Sequence, residues 1–290
     1  MLIIIFTVFT LVYLAGDPVA LMLPEDATKE EIQSLREALN LDRPFLVQFG
    51  TYITNLVKGD FGTSFHYNED ALSLVLERIP ATLELTIASM IVAMLIAIPL
   101  GILSATKRHT TIDVAITGGS VLGSAIPNFW LGIMLILLFA VNYEIFPVSG
   151  RGTFMHLILP AITLGTGLAA TIARLTRSSF LEVETKDYMQ TAKAKGARRL
   201  TIIFTHGLRN SLIPVVTMMA MQTGTLIGGS IVTEYIFAWP GIGQLLIQSI
   251  HNRDMAVIQA ATFIIALIVI CINFLADITY KLLDPRIKYN

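Results

Sequence analysis

Five stretches of this chain run for 17 residues or more without an Asp, Glu, Lys or Arg: Leu85 to Ser104, Val114 to Tyr143, Leu157 to Ala173, Ser211 to Thr233 and Met255 to Ala276. A bilayer core about 30 Å thick takes about 20 helical residues to cross, so each stretch is long enough to span one. With the apolar block from the N-terminus to Ala15 there are six, roughly 1–15, 82–105, 114–142, 156–175, 211–233 and 255–276. The expected fold class is an all-α polytopic membrane protein with six transmembrane helices, a single transmembrane domain over 1–290. With 54% hydrophobic and 14% charged residues, the composition excludes both an ordinary soluble domain, which is about a quarter charged, and a disordered chain. The net charge of −1 gives no reason to expect nucleic acid, and the single cysteine, Cys271, excludes a disulfide framework or a cysteine metal cluster.

The first block starts at Met1 without the basic flank that usually precedes a first span, so a trimmed or late start is expected. Its short apolar core and the small Ala15-Gly16 pair also fit a signal sequence, which would leave five spans and termini on opposite sides. Lysine and arginine set the orientation, because the richer side is normally cytoplasmic. Residues 17–81, 143–155 and 234–254 hold seven of them, whereas 105–113, 174–210 and 277–290 hold thirteen. The N-terminus, the 174–210 loop and the C-terminus are therefore expected in the cytoplasm.

Two connecting segments are too elaborate for simple loops. The outer one, 17–81, contains a capping-box pattern at Thr28-Lys29-Glu30-Glu31 followed by Ile32, Leu35 and Leu39 at helical spacing. Pro44 then opens an amphipathic run through Phe45, Phe49, Tyr52, Ile53 and Leu56 that stops at Lys58-Gly59. This predicts a small external helical cap whose apolar faces pack on each other, on lipid or on a partner. The inner segment, 181–208, reads as a short helix that Asp187 caps, a glycine corner at Gly196 and a second short helix, Arg198 to Thr205. Ala192, Ala194 and Gly196 leave little bulk there, which suits insertion into a groove on another protein. Lys193, Lys195, Arg198 and Arg199 also suit anionic lipid headgroups.

Gln190-Thr191-Ala192 followed by Gly196 resembles the Glu-Ala-Ala loop of bacterial ABC importer membrane subunits, with Gln and Thr replacing Glu and Ala as in the peptide branch. Further segments agree with that branch: Gly16-Asp17-Pro18, Gly59 to Ser64, Arg78 to Leu85, Ile126 to Trp130, His206 to Asn210, Phe237 to Gly241 and Leu283 to Arg286. The chain thus resembles the first of two membrane subunits of a dipeptide, oligopeptide, glutathione or nickel importer, with a type I-like fold. That resemblance implies a homologous second permease subunit, two cytoplasmic ATPase subunits that bind ATP and Mg, an external solute-binding protein, and a bacterial inner-membrane location. It implies that Asp187, Tyr188, Ala192, Ala194, Lys195, Gly196 and Ala197 dock into the ATPase, and that this chain is a transport subunit, not an enzyme, with no cofactor of its own.

The residues support that division of labour. Ion-coupled carriers place carboxylates or histidines inside the membrane, yet the five long apolar runs hold no charge, and Glu84, Glu234 and Asp277 fall at span ends where interfacial water is expected to hold them. Gly224 to Ser230 has neither the spacing nor the Lys of a phosphate loop. Its expected role is close helix packing by Gly224 and Gly228, with Gly119 and Gly123 doing the same on the third span. Pro99, Pro127, Pro160 and Pro214 each fall in a different span and are expected to bend helices around a path. Ser124, Asn128, Gln222, Thr223 and Thr225 are the candidate path residues, or else interhelical hydrogen bonds. The five histidines show no ligand spacing, so no metal site is expected. Three functions stay open: a peptide importer subunit, the same machine carrying nickel or a chelate, and a stand-alone channel or ion-coupled carrier.

Overall fold

Lipid offers no partner to a backbone amide, so apolar runs of this length satisfy their own hydrogen bonds as helices. The structure, a computed structural model, describes residues 2–14, 19, 28–38, 41–198 and 201–283. Gly16-Asp17-Pro18, Leu39, Arg199, Leu200 and Asp284-Pro285-Arg286 lie outside them.

The described elements are α1 (Leu2–Leu14), α2 (Lys29–Ala38), α3 (Phe45–Val57), α4 (Ala71–Thr106), α5 (Thr111–Ala125) and α6 (Asn128–Leu135), which continues as wider π-helical turns over Ile136–Asn142. They are followed by α7 (Phe154–Glu184), α8 (Asp187–Ala194), α9 (Arg209–Ile236) with π-helical turns Ile202–Leu208 leading into it, α10 (Ile242–His251) and α11 (Met255–Leu283). Among the described residues, α4, α7, Ile202–Ile236 and α11 are long and apolar enough to cross a bilayer, and α5 with α6 and its π-helical turns passes the same test only as a pair bent by 98°, a broken span or a re-entrant loop. The expected first span, α1, has 13 described residues, about 20 Å of helix and less than a bilayer core needs.

Three boundaries differ from expectation. Helix α4 begins at Ala71, inside the 17–81 segment, because Asp70 accepts the Ser73 amide at 2.8 Å and caps it there. Of the second short helix expected over Arg198 to Thr205, residues 199 and 200 lie outside the described residues and Ile202 to Thr205 belong to the π-helical turns that lead into α9. Helix α10 has no counterpart among the expected elements; Ile242, Leu245 and Leu246, which pack into the core, are the apolar helical spacing that marks it.

The chain divides into two compact units, Met1–Thr82 with Pro240–Ile268 and Leu83–Trp239 with Val269–Asn290, so α4 and α11 contribute to both. In the first unit Phe61, Leu74, Val75, Ile242, Leu245, Val257 and Ile264 form the core. The Gly59-Asp60-Phe61-Gly62 turn reaches it through two left-handed glycines, φ +78° and +84°. Ser64 follows, fully buried, and donates to the equally buried Asp254 carboxylate, which caps the start of α11 through the Val257 amide. The aromatic stripe of α3 does not pack within the cap: Phe45, Phe49 and Tyr52 meet Phe6, Phe9 and Tyr13 of α1 at centroid separations of 5.0–6.0 Å. The capping box before α2 forms as expected, Thr28 and Glu31 exchanging bonds of 2.8 and 3.3 Å, and the Thr28 amide and hydroxyl, donating to the Glu31 carboxyl at 2.8 and 2.9 Å, hold it below its ordinary range.

In the second unit α7 is the most enclosed span, 56% of its apolar window being buried against 22–33% for the others. A Cβ on Gly101 of α4 would stand 2.6 Å from Thr176 and 2.7 Å from the Ala173 carbonyl, and one on Gly165 would stand 2.8 Å from the Ser89 carbonyl. Of the glycines expected to pack, Gly224 does, against Asn273, whereas Gly119 and Gly228 have nothing within 4 Å and Gly123 only ordinary contact with Ala170. Gly101→Val should therefore cost about 1–3 kcal/mol by forcing α4 from α7, while Gly119→Ala stays within about 0.5 kcal/mol; thermal unfolding of the purified protein in detergent distinguishes them.

Candidate functional site

Residue types decide where the 181–208 segment turns. Helix α8 starts at Asp187, whose carboxylate lies in the first turn where it complements the helix dipole; the capping carbonyl is that of Lys186, which accepts from Met189 at 3.0 Å. Asp187 is thus the first helical residue rather than the cap. At the far end the Ala197 amide reaches back to the Ala192 carbonyl at 3.2 Å across Gly196, which has φ +75°. This six-to-one bond across a left-handed residue is the Schellman closure that glycine makes at least cost.

One side chain anchors α8. Met189 is buried and lines a cavity of about 380 Å³ with Thr106, Phe180, Glu184, Ala197, Ile202 and Ile203. Asp187, Tyr188, Ala194, Lys195 and Gly196 are exposed, and Ala192 and Ala197 half-buried, so the expected docking residues lie on the open side of the helix and its corner. Tyr188 also accepts a hydrogen bond from Asn210 at 3.1 Å, tying α8 to the start of α9. Phe180 packs where Gly207 has no side chain, a Cβ there falling 2.7 Å from its ring. That contact explains a glycine inside the His206 to Asn210 motif.

The candidate path residues separate into two groups. On α9, Thr225 is exposed along a stripe with Met221, Gly228, Gly229 and Val232, and Gln222 is half-buried beside it. Thr223 is committed elsewhere, donating to the Met219 carbonyl at 3.0 Å and reaching the Met90 sulfur at 3.3 Å. On the broken span, Ser124 is exposed but bonded to the Val121 carbonyl at 2.9 Å, while half-buried Asn128 opens α6 and sits where a Cβ on Gly167 would be 2.9 Å from its Oδ1. Pro127 is the residue before α6, at the 98° bend, whereas Pro99, Pro160 and Pro214 lie within continuous helices. The Gly224 to Ser230 run is interior to α9, where its amides are used by the helix and form no phosphate cradle.

Sequence reasoning missed the ion pairs. Arg151 donates through Nε to Glu84 at 2.8 Å and lies 5.7 Å over the Trp239 ring, and the Gly150 amide next to it bonds the Phe237 carbonyl at 2.8 Å. Glu234 is not held by interfacial water: it is fully buried and accepts from Ser230 at 3.1 Å. Asp113 and Arg177 form a further pair, enclosed at the junction of α4, α5 and α7. Their spacing of 64 residues gives no local signal; only the fold joins them.

Residues 97–289 match the family described as binding-protein-dependent transport system inner membrane component, and residues 1–86 match its N-terminal companion. The oligopeptide transport system permease protein AppB of Bacillus subtilis is 42% identical over 285 residues, covering 94% of this chain and 90% of the relative. The glutathione transport system permease protein GsiC of Salmonella typhimurium is 43% identical over 290 residues, covering 100% and 95%. Among solved structures, an inward-facing MetNI methionine ABC transporter superposes with a TM-score of 0.62 at 22% identity over 73% of this chain and 96% of that one, a likeness of fold. An amino acid ABC transporter crystallised with histidines follows at a TM-score of 0.53 and 12% identity, covering 72% and 94%. The two family matches together take in nearly all of the sequence and relatives at 42–43% identity span 94–100% of it, and the chain belongs to the binding-protein-dependent transport system inner membrane component family, as an integral membrane permease.

Proposed function

We propose that this chain is one of two homologous permease subunits of an ATP-driven, binding-protein-dependent importer, and that it forms half of the path for small peptides, glutathione among them. The observation that carries the reading is α8: a short helix held to the membrane domain by buried Met189 and by the Tyr188–Asn210 hydrogen bond, with Asp187, Ala194 and Lys195 exposed and its corner closed by a left-handed glycine. The names of the full-length relatives supply the cargo class. In this reading two cytoplasmic ATPase subunits hold ATP and Mg and receive Asp187 to Ala197, an external binding protein delivers the cargo, and both termini lie in the cytoplasm.

The uncharged lining suits such a cargo. Thr225 and Gln222 offer neutral donors and acceptors to peptide amides, and contacts of this kind touch a substrate without trapping it. Gating then belongs to the helices, with the 98° break at Pro127 the place where a span can bend without losing a continuous helix.

Proteoliposomes holding this chain with its partner subunits should take up labelled di- and oligopeptides or glutathione only when ATP is inside and the binding protein outside. Uptake by this chain alone, without ATP, would make it a channel or carrier and remove the reading; uptake competed by nickel rather than peptide would change the cargo. Gly196→Leu or Gly196→Asp should insert normally yet lose ATP-dependent uptake, since a side chain at φ +75° costs about 1–2 kcal/mol and opens the corner. Gly196→Asn, which tolerates that conformation, should retain much more.

A further inference from the structure

The Asp113 carboxylate takes four close hydrogen bonds from three residues of the second unit, with the Thr117 hydroxyl farther off at 3.5 Å. Arg177 grips it bidentately, Nε to Oδ1 at 2.8 Å and Nη2 to Oδ2 at 2.9 Å. Buried Ser104 donates to Oδ1 at 2.5 Å, and the His109 amide donates to Oδ2 at 3.1 Å from a residue with φ +63°. The Asp113 and Arg177 side chains are 8% and 28% exposed, so the carboxylate is shielded while the guanidinium stays partly open to its surroundings. It joins the C-terminal turn of α4, the first turn of α5 and the last third of α7.

Its position relative to the other contacts gives it a mechanical meaning. Three residues after Arg177, Phe180 packs against Gly207 at the start of the α9 span, and α7 then runs to Glu184 and hands the chain to α8. On the other side of the pair, α5 runs from Thr111 to Ala125 and ends at the 98° break before Pro127 and Asn128. A bidentate guanidinium–carboxylate pair is directional, so a displacement of α7 moves the start of α5 with it instead of sliding past.

We propose that Arg177 and Asp113 are positioning residues that transmit movement of α8 into α5 and so to the broken span at Pro127, coupling ATP use to opening of the path. The proposal rests on the reading of α8 as the ATPase-docking element. Asp113 is the one charged residue between Thr111 and Asn142, so the broken span offers no other ionic anchor.

The test uses the assembled transporter in proteoliposomes, comparing wild type with Asp113→Asn, Arg177→Gln and Arg177→Lys. ATP hydrolysed and labelled peptide taken up are measured in the same vesicles, and subunit assembly is followed by co-purification. Asp113→Asn and Arg177→Gln should still hydrolyse ATP but import roughly two- to thirtyfold less peptide per ATP. Arg177→Lys, which keeps the charge without the planar fork, should fall between them and wild type. An unchanged peptide-to-ATP ratio would overturn the proposal, as would hydrolysis and uptake declining together with subunit assembly, the signature of a purely structural pair. Failure of the importer reading shows instead in the wild-type vesicles, as uptake that needs no ATP.

Discussion

Helix α4 can lie against α7 only because residues 101 and 165 carry no side chain; a Cβ at either would fall within 2.9 Å of atoms on the facing helix. In water, two apolar helices are driven together by leaving the solvent, but lipid tails are as apolar as leucine, and that drive is absent in a membrane. What remains is dispersion over closely fitted surfaces and a few polar bonds, and close fit needs small residues. Burial of α7 follows from this approach, and so does the placing of Arg177, Phe180 and α8, which all depend on where α7 lies.

Charge is handled by the same economy. Membrane spans tolerate ionised groups only where these are paired or reach polar surroundings. Asp254 sits at a helix start and takes the buried Ser64 hydroxyl together with the Val257 amide. Asp113 sits at another helix start and takes a guanidinium, a hydroxyl and an amide. Each carboxylate closes a junction between elements far apart in sequence. Removing Arg177 would leave the shielded Asp113 carboxylate without its cation, which costs more than the intact pair contributes.

For a permease this arrangement separates weak contacts from strong ones. The proposed path residues Gln222 and Thr225 are neutral and half or fully open, so on that proposal a passing substrate would meet only weak contacts. The strong, directional contacts lie between helices, where rigid transmission is useful. Helix α8 combines both properties in eight residues: Met189 holds it to the membrane domain while Tyr188, Ala194 and Lys195 face outward.

Much of this was legible in the sequence because the relevant signals are local. Uncharged runs mark the spans through bilayer thickness alone, the Thr28–Glu31 box and the Gly196 corner are written in adjacent residues, and lysine and arginine counts carry the expected orientation. Proline alone did not mark the break: of the four positions expected to bend helices only Pro127 stands at one, while Pro99, Pro160 and Pro214 lie within continuous helices. Tertiary structure alone decided which glycines are contacts, Gly101 and Gly165 rather than Gly119 and Gly228, because a missing Cβ matters only if a neighbour occupies its place. It also decided that the α3 aromatics meet α1, that Glu234 is enclosed, and that Asp113 finds Arg177. These are properties of distance in space between residues remote in the chain, and periodicity along a sequence carries no information about them.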